Sequence, residues 1–246
     1  AEAAEECGTV AKVCDTEAEA IGFAVALLSS LPSNNLAVAP ISDYIPAEIN
    51  GIGVYASISL IADAGSFQEL YSDFGCCAKV GFARVAGNSV GIVATDYEKN
   101  DAKLCGNGAN KIARFVRFCD AFSIPVVTLV DSAGLAVEKN NESSYFAPEL
   151  AKLAMAYAAS DCAKVTVISG HAIGAAFVLL GSKSLGADVV YAVDNSEIGA
   201  LAAESGVAFA WDKYITEEKT REELVAEWKT SVSSPAYAAA SGEIDD

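Results

Sequence analysis

Apolar residues recur at helical spacing at Ala20, Phe23, Ala24 and Leu27, and either of two preceding polar residues, Asp15 or Thr16, can cap a helix running through Leu28. Leu31-Pro32-Ser33-Asn34-Asn35 stops it. The stretch from there to Ala56 is rich in Pro, Gly, Asn and Ile without a clear period, which suits a linker or a surface-crossing segment. A boundary is expected near Asn35, with an N-terminal helix and linker over 1–35 and the main domain over 36–246. Two β-rich runs follow, Gly81 to Gly87 and Val90 to Ala94, separated by Asn88-Ser89 as in a hairpin. Ala109 to Phe122 then reads as a helix, Val126 to Asp131 as a buried strand, Pro148 to Ser160 as a helix and Val165 to Ser169 as another buried strand. Gly174 to Gly181 and Val189 to Val193 repeat the unit, so the pattern predicts an α/β fold with parallel strands. Beyond Trp211 the chain turns polar and helical.

Composition narrows the classes of function. The 246 residues are 52% hydrophobic and 20% charged, enough to bury one or two ordinary cores. Sixteen Lys and Arg face thirty-three Asp and Glu, a formal charge of −17 that repels phosphate backbones and anionic lipid surfaces. The longest apolar runs, such as Ile124 to Val130, end well short of the ~20 residues a bilayer span requires. Ala1 to Thr9 carries three glutamates and no basic residue, unlike a secretory signal. The expectation is a cytoplasmic protein that neither binds nucleic acid nor inserts in membranes. Seven cysteines with no C-x-x-C pair argue against a disulfide framework and a zinc ribbon, and read as reduced, mostly packed thiols.

Several motifs point to chemistry and fall short of it. Gly87-Asn88-Ser89-Val90-Gly91 fits G-x-S-x-G, but a nucleophile elbow needs a strand-to-helix turn and here a second strand follows, so Ser89 reads as a turn serine. Gly106-Asn107-Gly108-Ala109-Asn110-Lys111 begins like a dinucleotide fingerprint, yet Lys111 replaces the last glycine and no apolar strand precedes it. A P-loop sequence is absent. The single histidine, His171, reads as a partly buried residue satisfied by backbone groups, and no metal site is predicted. Glu197 and Glu204 are the nearest carboxylates to a possible acid–base role, and both read as solvated charges.

Backbone donors are left to carry the chemistry. Val165 to Phe177 combines a strand, a small-residue turn and a helix start, where unpaired amides can stabilise a developing oxyanion. Gly and Ala clusters also let a helix pack closely on a sheet, and the segment alone favours neither reading.

Taken together, Leu31 to Asn35, Gly81-Phe82-Ala83-Arg84 with Val90 to Ala94, Ala113 to Phe122 running into Ile124 to Asp131, Lys164 to Ile168, Gly186 to Ala192, Ser234-Pro235-Ala236-Tyr237 and Gly242 to Asp246 span almost the whole chain. In that order they resemble the carboxyltransferase subunits of biotin-dependent acyl-CoA carboxylases and decarboxylases of the propionyl-CoA and methylmalonyl-CoA type. The resemblance implies a crotonase-like spiral of ββα units. Family enzymes contain two such domains, an N-terminal one for the acyl-CoA thioester and a C-terminal one for biotin. This chain resembles the end of the first, over 1–35, and nearly all of the second, as a truncated or split subunit would.

The resemblance also implies a site. Gly174-Ala175-Ala176-Phe177 matches a G-G-A-Y motif whose amides receive the biotin ureido oxygen, so Gly174, Ala175 and Ala176 are expected to serve catalysis. Phe177, Val178, Asp131 and Gly134 are expected to contact biotin or substrate, Val178 at the position after the aromatic that influences acyl-chain choice. The implied cofactor is biotin on a carboxyl carrier protein, with acyl-CoA as substrate. The implied partners are that carrier, an N-terminal carboxyltransferase half and further copies of the chain. Three departures stand out: Ala175 for the second glycine, Phe177 for tyrosine, and Asp131-Ser132-Ala133-Gly134-Leu135 for D-x-P-G-F, followed by Glu138-Lys139-Asn140-Asn141-Glu142 in place of a Gly-rich stretch. They leave the acyl group and the reaction direction open, along with two alternatives: a non-catalytic assembly module and a stand-alone crotonase-type hydratase or isomerase.

Overall fold

A computed structural model describes residues 6–49, 51–137, 145–216 and 219–246. Thr16 caps the first helix, α1 (Glu17–Ser30), its hydroxyl accepting from the Glu19 amide at 3.2 Å. Phe23, Leu27 and the following Leu31 pack on the main core, while Ile21, Val25 and Leu28 stay exposed. The Arg84 guanidinium pins the end of this helix and the chain beyond it, donating to the carbonyls of Ser29, Pro40 and Gly87. The segment expected to lack regular structure does so only as far as Glu48 and Ile49, because Val54–Ile61 forms a second helix, α2. Its Val54, Ile58 and Ile61 lie at i, i+4 and i+7 and seat the helix on a satellite cluster with Ala83, Ile92 and Leu129.

β1 (Gln68–Leu70), β2 (Ala78–Val85) and β3 (Asn88–Thr95) form the antiparallel edge of a seven-stranded sheet. The β2–β3 turn falls at Ala86-Gly87 rather than at Asn88-Ser89: both turn residues have positive φ, 49° and 77°, as a two-residue primed turn requires. The Asp63 carboxylate accepts from both turn amides and holds the bend. Ser89 lies inside β3, buried, and its hydroxyl has no partner among the described residues.

The rest of the sheet is parallel. β5 (Val126–Ser132) pairs with β3, β7 (Lys164–Ile173) with β5, and β8 (Val189–Ala192) with β7. Between long strands the chain makes a short strand and then a helix. β3 is followed by β4 (Lys103–Leu104) and α3 (Gly106–Ala121), and β5 by β6 (Gly134–Leu135) and α4 (Phe146–Ala159). β7 leads directly into a short helix, α5 (Ala175–Leu179), and β8 is followed by β9 (Glu197–Gly199) and α6 (Ala203–Gly206). β4 pairs with β6 and β9 pairs with the end of β7, so the short strands form a second layer of turns: this is the expected ββα spiral.

Helices α3 and α4 pack on each other and on the sheet. They bury Ile112, Phe115, Val116, Leu153 and Tyr157 beside Val80, Val130 and Ile168. Tyr157 is fully enclosed, and its hydroxyl is within 2.8 Å of the Thr128 hydroxyl. The would-be dinucleotide loop at Gly106-Asn107-Gly108 is the first turn of α3, capped by the Cys105 sulfur. The C-terminal part adds α7 (Arg221–Ser231), closed by a capping box between Thr220 and Glu223, and α8 (Pro235–Ala240). No helix among the described residues is long and apolar enough to cross a membrane.

Candidate active site

The site grows from the end of β7. Sequence periodicity ends this strand at Ser169, but it runs on to Ile173, because His171, Ala172 and Ile173 find a second partner in β9 through the pairs His171–Glu197, Ala172–Ile198 and Ile173–Gly199. Gly170 makes the passage possible. A Cβ there would sit 2.5 Å from the carboxyl carbon of Asp131, whose side chain lies across the glycine. Asp131 itself sits at an irregularity between the Val130 and Ser132 registers of β5. Its Oδ1 accepts the His171 amide at 2.8 Å and lies 2.9 Å from His171 Nδ1, while the Tyr97 ring stacks on the imidazole at 4.6 Å. His171 is thus held by a carboxylate and an aromatic ring, not by the backbone groups expected for it.

Immediately beyond, Gly174 has φ 63° and ψ −146°, a conformation open to glycine and costly for any other residue. Its N–H donates to the Gly199 carbonyl at 2.8 Å, tying the turn to β9. The chain then enters α5. The Phe177 amide returns to the Gly174 carbonyl at 3.2 Å, but among the described residues the amides of Ala175 and Ala176 have no acceptor. Ala176 has 0% of its surface exposed, so its unpaired amide is a donor that the fold leaves unsatisfied away from water.

A cleft of about 520 Å³ opens at this turn, lined by Gly174, Ala175, Phe177 and Val178 on one side and by Gly199 and Ala200 on another. Ser182, Lys183, Ser184 and the C-terminal Ser241, Gly242 and Glu243 complete it. Phe177 is mostly buried and gives an apolar wall, whereas Val178 is 41% exposed at the rim. The Lys183 ammonium pairs with the Asp245 carboxylate, which also accepts the Val190 amide. The hydrogen bond from Lys183, reinforced by that amide, holds the Asp245 carboxyl below the usual range. Asp245 returns the exchange, its own N–H donating to the Val190 carbonyl, so the C-terminal segment is sewn onto β8 and brought to the cleft.

Four of the residues singled out from the sequence, Gly174, Ala175, Phe177 and Val178, are therefore brought together, with Ala176 directly behind them. Asp131 and Gly134 do not line the cleft. Asp131 is engaged with His171, and Gly134 pairs with Lys103 in the small sheet at φ 132°, next to the Ile173 carbonyl. Glu138 to Glu142 lie outside the described residues. Glu197, expected to be solvated, is buried: it accepts the Ala203 amide at 2.7 Å and faces the Lys229 ammonium at 3.4 Å. Glu204 is exposed, and neither carboxylate lines the cleft. Lys183 and Ser241 carried no sequence signal, and Gly242 and Glu243 entered only through the family resemblance and not as site residues, because only tertiary pairing brings them to α5.

Comparison with known proteins gives this geometry a family. Residues 2–246 match the family described as the carboxyl transferase domain. The chain is 35% identical over 246 residues to the putative propionyl-CoA carboxylase beta chain of Bacillus subtilis, covering 94% of this chain and 48% of that one. It is 32% identical over 257 residues to the methylmalonyl-CoA carboxyltransferase 12S subunit of Propionibacterium freudenreichii subsp. shermanii, covering 97% of this chain and 49% of that subunit. The fold superposes with a TM-score of 0.89 and 31% identity on transcarboxylase 12S, a hexamer solved with methylmalonyl-coenzyme A and methylmalonic acid bound, over 99% of this chain and 50% of that one. This chain spans about half the length of the relatives it matches. The ββα spiral, the family match over almost every residue and these likenesses agree: the chain belongs to the carboxyl transferase domain family.

Proposed function

We propose that this chain supplies the biotin-facing half of an acyl-CoA carboxyltransferase site. The observation that carries the reading is the unpaired Ala175 amide at the cleft lined by Phe177 and Val178, with the unpaired amide of the buried Ala176 next in the chain. The fit to biotin rests on chemistry present in the chain. A ureido oxygen accepts hydrogen bonds, the turn at the positive φ of Gly174 leaves the Ala175 amide without an acceptor at the cleft, and an apolar wall stands beside it. Bound on its carrier, biotin would supply the ureido nitrogen that carries the carboxyl group.

The residues of this chain do the rest. The Ala175 amide donates to the ureido oxygen and gains strength as negative charge builds there, without an ionisable side chain, while the Ala176 amide lies directly behind it. Phe177 keeps water from the reacting face. Val178, at the rim, meets the acyl group. The Cβ of Ala175, absent from a glycine at that position, narrows the approach from one side.

An oxyanion hole on this half alone leaves the thioester unserved, so the reading includes a second, N-terminal half, acyl-CoA as substrate and a biotin carrier protein as partner. It also includes assembly of several copies, as in the hexameric 12S relative. Residues 1–35 are assigned to the end of the preceding domain. The bare face of Ile21, Val25 and Leu28 on α1 is an apolar surface such a domain would cover. The free cysteines fit a reducing compartment, and the cytoplasm is the location proposed.

Titration of the chain with a biotin amide, followed by amide NMR, tests the assignment. Shifts concentrated at Gly174 to Val178 are the expected result, and their absence at saturating ligand would overturn it.

A further inference from the structure

Cys77 and Cys105 lie 28 residues apart in sequence, yet their sulfurs are 3.0 Å apart. Cys77 immediately precedes β2, and Cys105 is the N-cap of the sixteen-residue α3. The two are interlocked by more than their sulfurs, since the Cys105 amide donates to the Cys77 sulfur at 3.4 Å and the Gly108 amide donates to the Cys105 sulfur at 3.4 Å. Gly108 makes room for the pair: a Cβ at that position would lie 2.3 Å from the Cys77 sulfur. Gly75 does the same one turn of chain earlier, where a Cβ would meet the Asn107 carbonyl carbon at 2.7 Å. Two glycines thus let the segment 75–77 lie directly against the first turn of α3.

The two thiols are not equivalent. Cys77 is 2% exposed, whereas Cys105 is partly open to solvent. The hydrogen bond from Cys77, joined by the Gly108 and Asn107 amides, brings the Cys105 thiol down to about 6. The bond to Cys105, together with burial, pushes Cys77 well above its usual value.

We propose that Cys105 and Cys77 form a reversible disulfide, with the Cys105 sulfur attacking a hydroperoxide-class oxidant and Cys77 as the resolving thiol. This inference does not depend on the carboxyl-transfer reading. In the first step the Cys105 sulfur attacks the peroxide O–O bond, forms an S–O bond and becomes a sulfenic acid, while the departing oxygen leaves as hydroxide and takes up a proton as water. In the second step the Cys77 sulfur attacks the Cys105 sulfur, the S–O bond breaks, and the Cys77 proton leaves with the hydroxyl group as a second water. Two thiols lose two electrons to one hydroperoxide. Closure to the ~2.05 Å bond length asks about 1 Å of sulfur movement. A dithiol reductant reverses it. The bond ties the start of β2 to the start of α3, next to the β4–β6 pair that borders Ile173.

The test is limited oxidation of the purified chain with hydrogen peroxide, followed by peptide mass spectrometry without reduction. The expected product is a single linked pair of peptides carrying Cys77 and Cys105, two hydrogens lighter than the sum and released by dithiothreitol. The solvent-exposed Cys7 and Cys76 should remain unlinked. In Cys77→Ser the product should stop at a Cys105 sulfenic acid that dimedone traps, and in Cys105→Ser no link should form. If both thiols stay free in the folded protein, or if oxidation falls first on Cys7 or Cys76, the proposal is wrong.

Discussion

His171 meets a single carboxylate oxygen twice: its main-chain amide and its ring Nδ1 both lie within 2.9 Å of Asp131 Oδ1. This one oxygen holds the end of β7 against β5 where the ladder register breaks. Loss of the carboxylate in Asp131→Ala leaves the His171 amide unpaired and should cost ~1–3 kcal/mol in a urea titration, with Asp131→Asn milder because it keeps an acceptor. Gly170→Ala should cost a similar ~1–3 kcal/mol, since the new methyl displaces that same carboxylate. Equal stability in the alanine variant at 131 would show that the contact does not hold the strand.

Gly174→Ala tests the turn that presents the donors. The backbone there is strained for any residue with a Cβ, at roughly 1–3 kcal/mol. The space itself is adequate, because a Cβ would lie 3.5 Å from the nearest atom, the Ala200 carbonyl oxygen. The variant should therefore be folded but destabilised, with its amide shifts on biotin-amide titration lost.

Lys111 offers a pH signature. It is almost wholly buried, and its ammonium donates to the Tyr71 carbonyl at 3.1 Å. Burial, then the nearby Lys79 charge, lowers its pKa to about 8. Between that value and the ~10.4 of an unfolded lysine, the unfolded chain binds more protons, so this lysine makes stability rise with pH, by ~3 kcal/mol across the window. Below it the full cost of the buried charge remains. Lys111→Met should thus be most favourable relative to the parent below pH 8, with the difference shrinking towards pH 10, as thermal melts across that range would record. A constant difference would sink the argument.

Ser89→Ala should leave the chain as stable or up to ~1 kcal/mol more stable, because the buried hydroxyl it removes has no partner among the described residues. It should not change any carboxyltransferase activity, which separates a strand serine from a nucleophile.

The parts of the fold legible from sequence were those built on one uninterrupted period. Val126–Ser132, Phe146–Ala159 and Val189–Ala192 lie within two residues of their expected bounds at either end, because each is a plain apolar strand or an amphipathic helix. Elements made by tertiary contact were missed. The hairpin turn depends on Ala86 accepting φ 49° with Asp63 bound to its amide, and no pattern in 81–94 announces that. Ser169-Gly170-His171 looks like a turn, and becomes strand only because β9 and Asp131 complete its bonding. Half of the candidate site was readable for a local reason: Gly174 to Val178 are contiguous. The opposite wall was not, since Lys183 and Glu243 come to one cleft only after the C-terminal segment pairs with β8 through Asp245.

The proposed function rests on the Ala175 amide, with Ala176 behind it, as the oxyanion donor of one half of a divided carboxyltransferase site. Proline at position 175 removes one donor while suiting the first helical position, where no intrahelical bond is lost. The decisive measurement is biotin-dependent decarboxylation of malonyl-CoA and methylmalonyl-CoA by this chain alone, by this chain mixed with an N-terminal carboxyltransferase half, and by Ala175→Pro in the same mixture. The expected result is activity only in the mixture and a loss of about 100- to 1000-fold in the proline variant. Activity of the chain alone, a folded mixture with no activity, or a proline variant as active as the parent would contradict it.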